Sequence, residues 1–338
     1  MIKEAINSLV SGNSLSFEAA SGAMAEIMSG EATPAQIAAF VTALRIKGES
    51  IDEIAGLASV MRAKATPVII TGPAIDIVGT GGDGSGSFNI STAAAFVAAG
   101  AGLKIAKHGN RAASSQCGSA DVLEALGVKI ELSPESVTRC IETLGIGFMF
   151  APVFHPAMKH AAVPRREIGI RTVFNILGPL TNPARTEHML LGVPGEELGN
   201  KIAAVLQRLG TSHSLVVHGR NGMDEISISG SSLVWDITEN EVSTPYEVFP
   251  DSFGFKEANQ AEVKGGTPEE NARVLRLLLD GEKGALRNVV VMNTAAALFA
   301  SNQSPDFETG ARISEEAIDS GKAKIKLDKL VELSQSLG

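Results

Sequence analysis

Residues 76–126 read as strand, glycine loop, helix, strand, polar loop and helix, a pattern that few arrangements outside the parallel α/β class accommodate. Residues 74–78 alternate small and β-branched side chains. The alternation breaks at Gly79, Gly81 and Gly82, where a missing Cβ permits positive φ and close approach of a ligand. A helix resumes at Ile90 with Asn89, Ser91 and Thr92 around its first turn, so free N–H groups, the helix dipole and hydroxyls make an anion site. Residues 103–106 form a short apolar run. Lys107 is expected to open a second loop that carries His108, Asn110, Arg111, Ser114, Ser115 and Ser119. If the two strands are parallel neighbours, both loops lie at the carboxyl edge of one sheet, where open α/β folds bind ligands.

Taken singly these pieces are ordinary. The glycine loop matches neither the P-loop nor the dinucleotide spacing, Asp83 could cap a turn, and His108 could be a satisfied loop histidine. Two such loops in one βαβ unit point instead to a small, highly phosphorylated ligand.

The first 70 residues read as four short helices without a strand, hence a separate small domain. Ile2, Ala5, Ile6, Leu9 and Val10 are expected on one apolar face. Thr33-Pro34-Ala35-Gln36 and Ser50-Ile51-Asp52-Glu53 carry capping-box logic. These helices suggest core packing or subunit contact and no chemistry. Further on, 133–145 predicts a helix and 146–150 a buried strand. The proline-rich residues from 150 to about 183 predict an irregular, position-setting crossing between the domains. Arg165-Arg166 lies in it, and an arginine fork suits a planar carboxylate. Asn175 and Gly178-Pro179 are expected to shape the same pocket. Residues 188–193 and 214–217 read as further parallel strands, the second leading into Met223-Asp224-Glu225. Two adjacent carboxylates in a loop can surround a hard cation, as proteins hold Mg²⁺ together with substrate phosphates.

A chain of 338 residues, 44% hydrophobic, supports about two domains. Its net charge of −9 and lack of any Lys/Arg block oppose a nucleic-acid surface. Cys117 and Cys140 have neither metal-ligand spacing nor the numbers for a disulfide framework, so a reducing, cytoplasmic setting is expected. No apolar run is long enough to span a membrane.

G-T-G-G-D at 79–83, N-I-S-T at 89–92, K-H-G-N-R at 107–111 and M-D-E at 223–225 together resemble the anthranilate phosphoribosyltransferases, over essentially the whole chain. Pyrimidine nucleoside phosphorylases share the glycine loop and the lysine-led second loop, without the Asp-Glu pair in this form. The resemblance implies a small all-helical amino-terminal domain (1–70, completed by a return segment near 155–185). It also implies a larger α/β domain (71–338) with a mostly parallel central sheet flanked by helices. The implied reaction moves the phosphoribosyl group of phosphoribosyl pyrophosphate to the amine of anthranilate, the second step of tryptophan synthesis from chorismate. Mg²⁺, two ions per active site, would be held by Ser91, Asp224 and Glu225. Phosphoribosyl pyrophosphate would be held by Gly79, Gly82, Asp83, Ser87, Asn89, Ile90, Ser91 and Thr92 of the first loop. From the second it would meet Lys107, His108, Gly109, Asn110, Arg111, Ala112, Ala113, Ser114, Ser115 and Ser119. Either loop could take the 5-phosphate or the pyrophosphate. Anthranilate would meet Gly79, Asn110 and Arg165, the last on its carboxylate. A homodimer through the helical domain is also implied. The rivals are a pyrimidine nucleoside phosphorylase-like enzyme, a phosphoribosyltransferase for another aromatic acid such as nicotinate, and a non-catalytic, nucleic-acid-binding paralogue. The last would be expected to carry basic patches.

Overall fold

The computed structural model describes residues 1–112 and 115–338. The chain opens with α1 (Ile2–Val10), α2 (Phe17–Ser29), α3 (Pro34–Lys47) and α4 (Ile51–Lys64). Local chemistry sets their ends. Ser16 Oγ accepts the Ala19 N–H, Thr33 with Gln36 and Ser50 with Glu53 close reciprocal capping boxes, and Gly30 ends α2 in the left-handed conformation. The apolar stripe of α1 is narrower than expected, because Ile2, Ala5 and Leu9 are buried whereas Val10, a step of about 100° beyond Leu9, is exposed. Glu53 does more than cap. Its buried carboxylate also accepts the Leu15 N–H at 2.9 Å and pairs with Lys47 Nζ at 2.9 Å, tying three segments together.

Seven strands make one sheet: β1 (Ile75–Gly79), β2 (Ile105–Gly109), β3 (Ile146–Phe150), β4 (His188–Gly192), β5 (His213–Gly219), β6 (Ser232–Thr238) and β7 (Tyr246–Val248). Their order is β3-β2-β1-β4-β5-β6-β7; the first five are mutually parallel, β6 pairs antiparallel with β5, and β7 pairs antiparallel with β6. The direction of winding reverses between β1 and β4, whose registers match Gly79 to Gly192. The carboxyl ends there form the crevice in which such sheets bind ligands.

Side-chain alternation divides the interior into two cores. Ile77, Leu190, Leu215, Val217 and Val234 face one, built around α5 (Ile90–Gly100), which is buried along nearly its whole length. Leu191, Val216, Leu233 and Trp235 face the other. That second core includes the helix Glu196–Arg208, α1 to α4, and Ala161, Val173, Phe174, Leu177 and Leu180 from a later stretch of chain.

Two expectations need correction. Strand β2 continues through Lys107 and His108 to Gly109, so these residues lie in the sheet and not in the loop. A buried lysine is tolerated there because its amine finds the Ile77 carbonyl at 2.5 Å. The proline-rich crossing is also more regular than expected. It contains helices Ala151–Phe154, Lys159–Ile168 and Phe174–Leu177, with Pro164 inside the second at the loss of one backbone hydrogen bond. Among the described residues no helix is long and apolar enough to cross a membrane.

Glu53→Ala leaves the half-buried Lys47 and two backbone donors without their carboxylate and should lower unfolding free energy by about 3–5 kcal/mol. Urea titration measures this. A loss below about 1 kcal/mol would mean that water replaces the carboxylate.

Candidate active site

Both central strands end in glycine, and Asp224 rests on them. A Cβ on Gly192 would lie 1.6 Å from the Asp224 carbonyl oxygen, and one on Gly79 2.3 Å from its Oδ2. Gly79 is thus required for contact with the chain's own carboxylate. Positive φ, expected there too, begins only at Gly81 and Gly82 (69° each). The loop that follows bends over Asp224. The Gly81 N–H donates to Oδ2 at 2.6 Å, while Asp83 accepts the Ser85 N–H at 3.2 Å and the Asp224 N–H at 3.4 Å. The far limb is pinned by Phe88 N–H to the Val263 carbonyl (2.9 Å), Gly265 N–H to the Gly86 carbonyl (2.9 Å) and a bridge from Ser87 to Lys264. Asn89 does not cap α5. Its side chain links the Asn271 amide (2.8 Å) to the Cys117 carbonyl (3.2 Å) and so joins the two loops. The Ile90 N–H is taken by the Phe88 carbonyl at 2.7 Å, and the buried Thr92 hydroxyl has no partner.

Asp224 and Glu225 are both buried, Asp83 stands beside them, and Lys107 is the neighbouring cation. Burial raises the pKa of both, Asp83 adding to the effect on Asp224 and Asp224 to that on Glu225; Lys107 and the Ser91 N–H oppose it at Glu225. Lys107 Nζ also lies 3.4 Å from Ser91 Oγ. Burial lowers the lysine's pKa against the pull of Asp76 and Glu225. Asp76 itself is pushed up to about 6 by burial, although Asn182 donates to it at 2.7 Å and the His108 N–H lies 3.3 Å away. This is a hard-oxygen site with more negative than positive charge, the donor chemistry Mg²⁺ takes. Among the described residues no group of three or more His, Cys, Asp or Glu side chains could enclose a metal by itself. An ion here would therefore share its coordination with a ligand's oxygens.

On the other side of Gly79 lies a cavity of about 480 Å³ lined by Gly79, His108, Gly109, Asn110, Arg111, His155, Lys159, Arg165, Phe174, Asn175, Gly178 and Pro179, among others. None of the described residues lining it is a carboxylate, although the chain carries net charge −9. Arg165 is spread over the Phe174 ring at 5.0 Å, and burial lowers its pKa. The His108 and His155 rings lie 5.0 Å apart, both Nε2 atoms buried without a partner. Burial lowers the pKa of His108 to about 3, with His155 contributing, and that of His155 to about 4.

The second loop is folded on itself. Arg111 pairs with Asp121 (3.2 Å) and Glu124 and lies over Phe150; Ala112 and Gly118 each donate an N–H to Asp121 at 2.9 Å; Ser115 and Ser119 bond the Cys117 and Asn110 carbonyls. Ala113 and Ser114 lie outside the described residues. Gly79, Asn110 and Arg165 thus converge on the cavity, whereas Ser91, Asp224 and Glu225 gather behind Gly79. Sequence reasoning missed Asp76, His155, Arg171, Phe174, Asn182 and Asn271. Only Thr181-Asn182-Pro183 and the His155-Pro156 step gave any local sign.

Residues 71–324 match the glycosyl transferase family a/b domain, and residues 3–65 that family's helical bundle domain. The anthranilate phosphoribosyltransferase of Dehalococcoides mccartyi is 58% identical over 338 residues, covering 100% of this chain and 99% of the relative. The crystal structure of anthranilate phosphoribosyltransferase from Thermus thermophilus superposes with a TM-score of 0.93 at 45% identity, covering 98% of this chain and 99% of that one. The Saccharomyces cerevisiae enzyme in complex with PRPP and Mg gives 0.92 at 31% identity, covering 99% and 98%.

The two neutral histidines carry a pH signature. Unfolded, both titrate near 6.5, so below that value the unfolded chain binds more protons and stability falls as pH drops towards 4; above it their full contribution is present. At pH 5 each costs about 2 kcal/mol relative to pH 7. His108→Asn with His155→Asn should flatten the loss of urea-measured stability between pH 7 and 5 by that order. Identical slopes would show that the rings take up protons in place.

Proposed function

The chain belongs to the anthranilate phosphoribosyltransferase family, and from that premise we propose how its residues transfer the phosphoribosyl group of phosphoribosyl pyrophosphate to the amine of anthranilate in tryptophan synthesis. The observation that carries this reading is the wall at Gly79, with an acidic, oxygen-rich compartment behind it and in front a cationic cavity whose described lining residues include no carboxylate. The first suits a polyphosphate with its cation, the second a flat aromatic acid.

Arg165 offers its fork to the anthranilate carboxylate while Phe174 holds the guanidinium plane. Asn110 and Gly79 shape the wall, and the two neutral histidines flank the ring without adding charge. The glycine-loop amides, the first turn of α5 with Asn89, Ser91 and Thr92, and the stretch from Lys107 at the end of β2 through the second loop to Ser119 serve the donor. Asp224, Glu225 and the Ser91 hydroxyl would hold Mg²⁺, two ions per site, which when bound neutralises charge on the leaving pyrophosphate. Lys107 offsets the charge of Glu225. As the ribose C1–O bond breaks, its electron pair leaves with pyrophosphate, the amine nitrogen bonds to C1 and then gives up a proton. An aromatic amine is already neutral at pH 7, so positioning and charge stabilisation carry the reaction and no strong base is required. Closure of the glycine loop and the two domains excludes water from the ribosyl centre. Met223-Asp224-Glu225 and Arg165 speak against a nucleoside phosphorylase.

Mixing the protein with anthranilate, phosphoribosyl pyrophosphate and Mg²⁺ should quench anthranilate fluorescence, and a chelator should stop it; persistent fluorescence overturns the reading. Arg165→Ala removes a charge-assisted bond of about 1.5–3 kcal/mol and should raise KM for anthranilate roughly tenfold to a hundredfold, leaving that for the donor within about threefold. If the donor weakens instead, Arg165 is a phosphate ligand. Ile46, Val163 and Ile170 remain exposed on the helical part. With them we place a homodimer interface there, of about 1,200–2,000 Å² if of standard size. Sedimentation velocity at micromolar concentration should find a dimer; a monomer would remove the interface and leave the catalytic reading intact.

A further inference from the structure

Arg171 takes no part in the scheme above. It lies on the short link between helices Lys159–Ile168 and Phe174–Leu177, and both ends of that link are fixed. Gly169 closes the first helix in the left-handed conformation with its N–H on the Arg165 carbonyl, and Asn175 Oδ1 accepts the Thr172 N–H at 3.0 Å. Val173, Phe174 and Leu177 anchor the next turn in the helical core. From this base the guanidinium crosses to the glycine loop. There Nη2 donates to the Gly81 carbonyl at 2.7 Å, and Nη1 fills the space where a Gly82 side chain would begin, 1.2 Å from an ideal Cβ.

Gly81 is therefore gripped from two sides, its carbonyl by Arg171 and its N–H by Asp224 at 2.6 Å. The peptide unit is planar and trans, so fixing the Gly81 carbonyl also fixes the Gly82 N–H, which points the opposite way. Two consecutive glycines have unusual freedom to rotate, and a loop that must present its amides in one direction needs an external hold. We propose that Arg171 is a positioning residue that sets the glycine loop in its donor-binding form and ties that loop to the helical domain. Movement between the domains is thereby coupled to donor affinity. The inference rests on the reading of this loop as a donor site, and Arg171 itself touches no substrate.

Hydrogen–deuterium exchange of the substrate-free protein tests the hold without reference to the reaction. Arg171→Ala should speed exchange in residues 79–88 by about tenfold to a hundredfold, the loss of one charged hydrogen bond, and leave the helical core unchanged. Arg171→Lys, with a single-point donor, should recover part of the protection. In turnover, Arg171→Ala should raise the donor KM about tenfold and keep the anthranilate KM within about threefold. Unchanged loop exchange overturns the proposal, as does faster exchange throughout the helical core, which would make Arg171 a general stability residue. Faster loop exchange with an unchanged donor KM overturns the coupling. Absence of any turnover in the parent protein would instead strike the donor-site reading.

Discussion

Asp224 sits on the ends of two neighbouring parallel strands with no side chain between, and the site depends on that contact. Were either Gly79 or Gly192 any other residue, the loop after β5 could not descend onto the crevice. Because it does, a carboxylate is pressed against the Gly81 amide in a region shielded from water, with Glu225, Asp83 and Lys107 nearby. Like charges so placed destabilise one another unless a cation joins them. The Gly81 amide holds Asp224 meanwhile, so the N–H that satisfies the carboxylate in the free chain is also a donor open to ligand oxygens.

The acidic side and the cationic side meet at one residue without a side chain. With no side chain at Gly79 to stand between them, the two compartments stay in communication around its backbone, which the transfer proposed above requires. Neutral histidines are suited to the cavity for a related reason. A charged ring beside Arg165 would repel it, and burial keeps both rings uncharged.

Features written in neighbouring residues were legible in the sequence. Thr33 and Ser50 cap the helices they announce, Gly30 and Gly145 end theirs, and the parallel unit at 76–126 is present. The end of β2 escapes a sequence reading in which polarity stands in for exposure: Lys107 and His108 are polar yet buried, each kept by partners distant in sequence. The missing Cβ of Gly79 also makes room for the chain's own Asp224, a contact that no neighbouring residue announces. Arg171 and Asn182 are invisible for the same cause, as their meaning lies in Gly81 and Asp76, about 90 and 106 residues away. Arg165 could be singled out only because the motifs around it resemble a known family.

Besides one face of the sheet and the helix Glu196–Arg208, the second core draws on α1 to α4 and on the helices between Lys159 and Leu177, with the first stretch of the sheet threaded between them. During synthesis the opening helices therefore emerge with an apolar face whose cover has yet to be made. At ribosomal rates the wait is roughly ten seconds, long compared with the microseconds in which helices form. The first helices must spend that interval as a solvent-exposed, partly assembled bundle, and the nascent chain is open then to chaperones or to premature pairing with another copy.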